Sequence, residues 1–510
     1  MSRGRAVLGF VAVAVAAALL LSGGSGTDPE TPPALPGLPP PFLGVAVLGD
    51  GELTAAVDAY GNVVDLRAPG PAGRNLIENP SGRQAAGTVP PDTGIQVWAR
   101  VGGEMLPTWR ADEVRQEYLP GTGVLRTIAD FGGRRAVVEQ GVDRGVLAVV
   151  VDGPGVELRM NAGVACRLAR GDGELAMACA RGGAGGDAGV EARRVLAAAA
   201  ASDRRWLARA LPLGASAPGW ARRMYERSLL VLRALTAREN GAVAAGARDG
   251  WAYVWPRDAA ATAIALAAAG YQPEAELTLQ FMLGLGLEHA ARFHGDGSPV
   301  SGREAQGDAI GWVAAASEAA GLGSARQAAH ILAGGEAIPW RDRSDYWEGE
   351  RGDYLGNALA SGEPAIEHLY GGKSQVRLAR TLGDPDSGLD SAAAWAVRPF
   401  SQPHLYPAAR RTMEHLVAAG TPFGITPGED WPGGNDPWSA PTAWTAWSLA
   451  ALGERRQALQ LMSALRRSAT PAGDLPERVD ADTGVPRSTT PLAWSHAFAI
   501  LALRELWPTG

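Results

Sequence analysis

Hydrophobic positions along the chain change period once. From about Phe42 to about Val195, runs such as GVAVLGDGELTAAVDAYGNVVDLRA and GVLAVVVDGPGVELRMNAG alternate apolar and polar residues or string β-branched ones together, each cut by Gly, Pro or Asp-Gly. That pattern predicts an antiparallel β-sandwich. After Ala198 the apolar residues, mostly Ala and Leu, recur at helical spacing over 217–236, 257–269, 273–286, 308–320, 324–334, 363–382, 405–419, 436–452, 454–468 and 491–506, with weaker segments near 353–359 and 388–395. About twelve helices without a fixed repeat predict six helical hairpins closing into an (α/α)6 toroid barrel rather than a solenoid. Polar stretches at 286–307, 335–352, 420–435 and 469–490 separate them, and chemistry is expected there.

The N-terminus adds two further segments. Arg3 and Arg5 precede an uncharged apolar run from Ala6 to Leu21, followed by Gly, Ser and Pro, as in a secretory signal. The run is long for a cleaved signal and short for a spanning helix, so a cleaved signal peptide and an uncleaved signal anchor both stay open. The chain is expected to be exported, either secreted or anchored to the outer face of the cytoplasmic membrane through residues 6–21. Residues 28–41 are Pro-rich and predict an extended spacer. The expected division is 1–24 signal, 25–41 linker, 42–200 β-sandwich and 201–510 helical barrel.

Composition narrows the function. A chain of 510 residues exceeds one typical domain, and a net charge of −7 with no basic block beyond the extreme N-terminus excludes the electrostatic footprint of a nucleic-acid binder. Sixteen Trp outnumber the 8 Phe and the 9 Tyr taken separately. An indole offers a broad flat face that suits a sugar ring as well as a core. Cys166 and Cys179 flank Asp172-Gly173 symmetrically, and a hairpin turning there sets them opposite one another. The pair reads as a disulfide candidate or as two small buried hydrophobes.

Four stretches carry unusual residues. In DGWAYVWPRDAAATA, Trp251, Tyr253, Trp255, Arg257 and Asp258 crowd a helix start, where Pro256 suits the first turn and Asp258 suits the macrodipole. Helix capping and ligand recognition are both open there. SDYWEGERGDY sets Glu348 beside Trp347, and burial against an aromatic raises a carboxyl pKa as a general acid requires. ITPGEDWPGGNDPWSAPTAW lines a cleft or forms a turn. GDLPERVDADTGVPRSTTPLAWSHAF places Glu477 in a polar loop before the last helix, which carries Trp494 and His496. Together they fit two carboxylates, one protonating a leaving oxygen and one activating a nucleophile.

The segments GAVAAGARDGWAYVWPRDAAATA, QGDAIGWV, SDYWE and DLPERVDADTGVPRSTTPLAWSHA resemble glycoside hydrolase family 15, the glucoamylase, glucodextranase and bacterial trehalase group. The start PFLGVAVLGDGELTAAVDAYGNVVDLRAPG resembles the β-domain of its prokaryotic members. The resemblance implies a β-sandwich followed by an (α/α)6 barrel, and exo-acting release of glucose from an oligosaccharide or polysaccharide α-glucoside with inversion. Carried over by position, it implies Glu348 as general acid and Glu477 as general base. Arg257 and Asp258 match the pair holding the non-reducing glucose, beside Tyr253, Trp255 and Trp347, with Gln306 and Asp308 as further polar elements of the pocket. Gly349 stands where the family often has a second acidic residue, which keeps Glu350 and Glu367 open as partners of Glu477.

Two rivals remain, an inverting disaccharide phosphorylase and a catalytically silent carbohydrate-binding or cell-envelope protein. The Leu-Pro-Glu setting of Glu477 argues for hydrolysis over phosphorolysis. No cofactor is expected. The seven His form no helical His-x-x-x-His pair, and only oxygen-ligated structural calcium is left open. Linkage preference, set by loop shape, is left open among α-1,4, α-1,6 and trehalose.

Overall fold

The structure, a computed structural model, describes residues 34–77, 94–153, 155–161, 165–171, 174–180, 188–248, 250–321, 340–346, 351–363 and 376–509. The expected signal, the first part of the linker, the helix at 324–334, and Trp347, Glu348, Glu350 and Glu367 lie outside the described residues. Among the described residues, no helix is long and apolar enough to cross a membrane.

The N-terminal part consists of two antiparallel sheets. The first joins β1 (Gly44–Gly49), β2 (Thr54–Asp58), β3 (Val63–Ala68), β4 (Arg74–Asn75), β5 (Gly94–Val101) and β6 (Glu104–Pro107) to the later β11 (Glu157–Asn161). The second runs in the order β12 (Ala165–Arg170), β13 (Glu174–Ala180), β10 (Val146–Asp152), β9 (Arg134–Asp143), β8 (Leu125–Phe131) and β7 (Glu113–Tyr118). One apolar cluster lies between them, with Val57, Leu66, Ile95 and Val97 from the first sheet meeting Val138, Leu147, Val149 and Met177 from the second. β8 shows the alternation expected of such a strand, burying Leu125, Thr127, Ala129 and Phe131. β1, β2 and β3 are buried along nearly their whole length because the helical part covers their outer face. Thr54 Oγ1 donates to Ala234 O at 3.1 Å, and Gly51, at φ +85°, approaches so closely that an added Cβ meets Thr236 O at 2.7 Å.

Cys166 and Cys179 face each other in the register of β12 and β13 and form a disulfide. Two expectations change here. Residues 34–41 are not a free spacer: Leu35 and Leu38 pack on the core, Tyr60 Oη donates to Pro39 O at 3.1 Å, and Leu35 N donates to Tyr60 Oη at 3.0 Å. The two leucines give the Pro-rich segment apolar area to bury. The sheet region also ends earlier than 200, because α1 (Ala188–Leu207) crosses that boundary. Its Ala192, Leu196, Ala199 and Ala200 cover the outer face of the second sheet against Val124, Ala148 and Val150.

The helical part continues with α2 (Gly219–Leu235), α3 (Pro256–Ala268), α4 (Gln272–Leu283), α5 (Ala309–Ala319), α6 (Leu355–Ala360), α7 (Tyr406–Ala419), α8 (Ser439–Ala451), α9 (Arg455–Ser468) and α10 (Ala493–Leu506). α10 is buried on nearly all sides because α2, α3 and α8 pack around it. Of the expected helix at 363–382, residues 364–375 lie outside the described residues, and its last part instead enters a hairpin, β14 (Ala379–Thr381) with β15 (Asp384–Leu389). Gly383 at φ +78° turns the chain between them, and this turn chemistry overrides the leucine spacing. Near 388–395 the chain forms a 3-10 segment, Ser391–Ala396, whose first turn is capped by Asp390 accepting from Ala392 N at 2.6 Å.

Candidate active site

Helix α3 begins as its sequence requires. Pro256 takes a position where no N–H is needed, and Trp255 precedes it in extended conformation without a side-chain cap. Arg257 and Asp258 follow in the first turn, each 4% exposed. Arg257 Nη1 donates to Asp308 Oδ2 at 2.7 Å and to Gln306 Oε1 at 3.2 Å, and its guanidinium lies 4.9 Å from the Trp494 ring centroid. Gln306 Nε2 in turn donates to Asp345 O. Candidates from two separated stretches, Arg257 with Asp258 and Gln306 with Asp308, therefore meet at the starts of α3 and α5.

Asp258 is both a first-turn acid and a buried one. Burial pushes its carboxyl up to about 7, and the nearby charges of Glu477 and Asp308 add to that rise against the pull of Arg257. The helix start favours the anion, yet burial outweighs it. Asp258 thus combines a place in the first turn of α3 with burial among charged side chains.

Glu477 approaches from the other side. Its backbone is fixed at both ends of the residue, with Glu477 N donating to Thr489 O at 2.8 Å and Ser439 N to Glu477 O at 3.0 Å. Its carboxylate accepts from Trp251 Nε1 at 3.2 Å and from Ser488 Oγ. Gly246 lets the 489–492 segment approach beside Trp251, since an added Cβ meets Thr489 Oγ1 at 2.6 Å. The side chain is half-buried, and burial raises its pKa, while Ser488, Trp251, Arg478 and Arg248 pull it back. Arg248 lies over the Trp251 ring at 5.1 Å.

Tyr253 and Trp255 stand edge to face at 6.1 Å, with the Arg292 guanidinium 4.8 Å from the first ring and 5.6 Å from the second. Trp255 is buried and Tyr253 is partly open. Trp312, Trp395, Trp444, Trp494 and Tyr346 pack in successive edge contacts, so packing accounts for much of the tryptophan excess. Tyr346 Oη donates to Asp390 Oδ1 at 2.6 Å and anchors the chain just before Trp347 and Glu348, which lie outside the described residues. Trp251 stood in the quoted motif, but nothing in sequence paired it with Glu477. Ser488 carried no signal beyond lying in the same polar loop.

The helix-borne His496 is not a surface acid or base. Its Nε2 accepts from Leu475 N at 2.9 Å and its Nδ1 meets Ser228 Oγ at 2.9 Å. Burial first, and then the charge of Arg227, hold its pKa well below the usual value, so the ring is neutral.

No family model matches the sequence, and no curated protein matches it either. The fold is similar to the crystal structure of a bacterial glucoamylase complexed with acarbose, at 12% identity and a TM-score of 0.68, covering 91% of this chain and 94% of that one. A wild-type glycosidase is 20% identical with a TM-score of 0.47 over 59% of this chain and 98% of that one. The glucoamylase from Saccharomycopsis fibuligera is 14% identical with a TM-score of 0.46 over 56% of this chain and 94% of that one. The chain thus shares the sheet-then-helices fold of a bacterial glucoamylase.

Proposed function

We propose that the chain is an exo-acting inverting α-glucoside hydrolase of the glycoside hydrolase family 15 type, built on an (α/α)6 barrel and releasing β-glucose from non-reducing ends. The observation that carries this reading is the setting of Glu477, a half-buried carboxylate held by Trp251 and Ser488 beside the buried Asp258 and Arg257–Asp308 group. In this scheme ionised Glu477 takes a proton from water as the water oxygen bonds to the anomeric carbon. The bond from that carbon to the leaving oxygen breaks, and Glu348 protonates that oxygen. Solvent then restores both carboxyls. Tyr253, Trp255 and Trp347 supply an apolar wall, and Arg257, Asp258, Gln306 and Asp308 supply the polar contacts to hydroxyls.

The shared fold supports this reading, and the neighbour's complex with acarbose supports an oligosaccharide ligand. The scheme uses no cofactor. Export through residues 6–21 accords with a substrate outside the cell.

Proton NMR of the protein with maltotetraose, isomaltotetraose and trehalose, reading the first glucose anomer to appear, tests the function. Early β-glucose suppressed by both Glu348→Gln and Glu477→Gln supports inversion and names the linkage; retention by Glu348→Gln alone points to Glu350 or Glu367. Early α-glucose rejects inversion, and no glucose from any substrate favours the silent binder.

A further inference from the structure

The turn that leads into Glu477 is held from the sheet domain. Asp474, fully buried, takes a hydrogen bond on Oδ2 from Tyr118 Oη of β7 at 2.9 Å and faces Arg227 Nε of α2 at 3.2 Å from Oδ1. Arg227 lies over the Tyr118 ring at 3.7 Å and sends Nη1 to Thr122 O at 3.4 Å. Tyr118 Oη also accepts from Val47 N of β1 at 2.9 Å, so the hydroxyl is tied into both sheets. Asp474 closes its own turn through Thr470, whose Oγ1 accepts from Asp474 N at 3.1 Å and whose N donates to Asp474 O at 2.9 Å.

The next residue is held as firmly. Leu475 N donates to Nε2 of His496, one turn into α10, and Leu492 N donates to Leu475 O at 3.0 Å. The His496 bond requires a bare Nε2, hence a neutral ring whose Nδ1–H is given to Ser228, one residue after Arg227. Burial first, and then the guanidinium of Arg227, disfavour a second proton on that ring, so Arg227 holds Asp474 while the neutral His496 holds Leu475. Pro476 O accepts from Ser439 Oγ, and Glu477 follows. From residue 474 to 477, every position is bonded to at least one partner beyond its own turn.

We infer that Tyr118, Asp474, Arg227 and His496 are positioning residues that set where the Glu477 carboxylate stands, which makes the sheet domain a working part of the site. The inference rests on the role proposed for Glu477. None of the four side chains touches substrate in this arrangement; each acts through the backbone. A carboxylate serving a water molecule tolerates little displacement, and a shift of about 1 Å can cost roughly a hundredfold in rate.

The test uses the full chain with Tyr118→Phe, which removes one hydroxyl and keeps the ring under Arg227, and Asp474→Asn, which keeps shape and removes charge. Tyr60→Phe, in the same sheet domain but bonded to Pro39 and Leu35, is the control. On whichever glucoside the NMR assay identifies, Tyr118→Phe is expected to lower kcat by about tenfold or more with KM nearly unchanged, and Tyr60→Phe to leave kcat alone. Hydrogen exchange of the 470–479 amides is read on the same samples, with Leu475 N–H expected to lose protection in Tyr118→Phe and Asp474→Asn and to keep it in the control. Equal kcat and equal protection in Tyr118→Phe and the native chain overturn the inference while leaving the hydrolase reading intact. If the native chain cleaves no glucoside, the hydrolase reading fails by itself, and the exchange data still decide whether Tyr118 holds the turn.

Discussion

The indole Nε1 of Trp251 donates to Oε1 of Glu477 at 3.2 Å, joining residues 226 positions apart. The bond favours the ionised carboxylate, as does that from Ser488, against a burial that favours the neutral acid. In the general-base role proposed for Glu477 the ionised form is the working one, so activity is expected to fall as pH drops through its pKa. Trp251→Phe removes the donor and keeps an apolar ring, which raises that pKa further. The acidic limb of kcat against pH is expected to move to higher pH, with Ser488→Ala moving it the same way. Superimposable profiles for Trp251→Phe and the native chain would show that the bond does not tune Glu477.

Asp258 gives a pH dependence of stability with a definite sign. Its carboxyl titrates near the usual value of 3.8 when unfolded and is raised to about 7 in the fold, so the folded state holds the proton more tightly between those limits. The associated stability is present below pH of about 3.8 and is lost as pH rises through about 7. Asn cannot ionise and escapes that loss. Asp258→Asn is therefore expected to match the native Tm at pH 5 more closely than at pH 8, where the variant gains, while its turnover falls sharply. A Tm difference that stays constant between the two pH values would mean Asp258 does not carry this proton. Asp58, raised to about 6 by burial, acts in the same direction in both proteins and cancels in the comparison.

Much of this site was legible because its members are chemically conspicuous. Arg257 and Asp258 stand next to one another at a helix start, and Leu475-Pro476-Glu477 interrupts a polar loop, so local sequence names them. Helices α2, α3, α5, α8, α9 and α10 match the expected segments to within a few residues, α2 and α9 by burying one apolar face and α3, α8 and α10 by burying nearly every position. What sequence concealed is pairing across distance. Trp251 with Glu477, Arg257 with Asp308, and Tyr118 with Asp474 are contacts of tertiary origin, and no periodicity encodes them. The hairpin at 379–389 was concealed for a local reason, since Leu378, Leu382 and Leu389 imitate helical spacing around Gly383. Helix α1 was hidden by its place, an amphipathic segment laid on a sheet and read as an extension of it.

The Cys166–Cys179 bridge ties the edge strand β12 to β13 across a sequence separation of 13. Closing a loop of that size restricts the unfolded chain by about 3 kcal/mol. Replacing both residues with Ala is expected to lower unfolding stability by roughly 2–4 kcal/mol in guanidinium titrations, with kcat unchanged. A reductant should move the native midpoint in the same direction and leave the double variant where it is. If reductant has no effect on the native chain, the bridge contributes nothing to stability.

Arg257 and Asp308 form the most consequential ion pair of the pocket because neither has water to fall back on, at 4% and 1% exposure. Removing one partner strands the other charge inside the protein, which costs about 3–5 kcal/mol, whereas removing both charges together costs much less. Arg257→Met is expected to lower unfolding stability by that amount, and Asp308→Asn by a similar one. The double variant Arg257→Met/Asp308→Asn should recover part of the loss in stability but none of the turnover. That split separates the two roles of the pair. Recovery of turnover along with stability would mean that the pair only supports the fold, and that Arg257 makes no contact with the sugar.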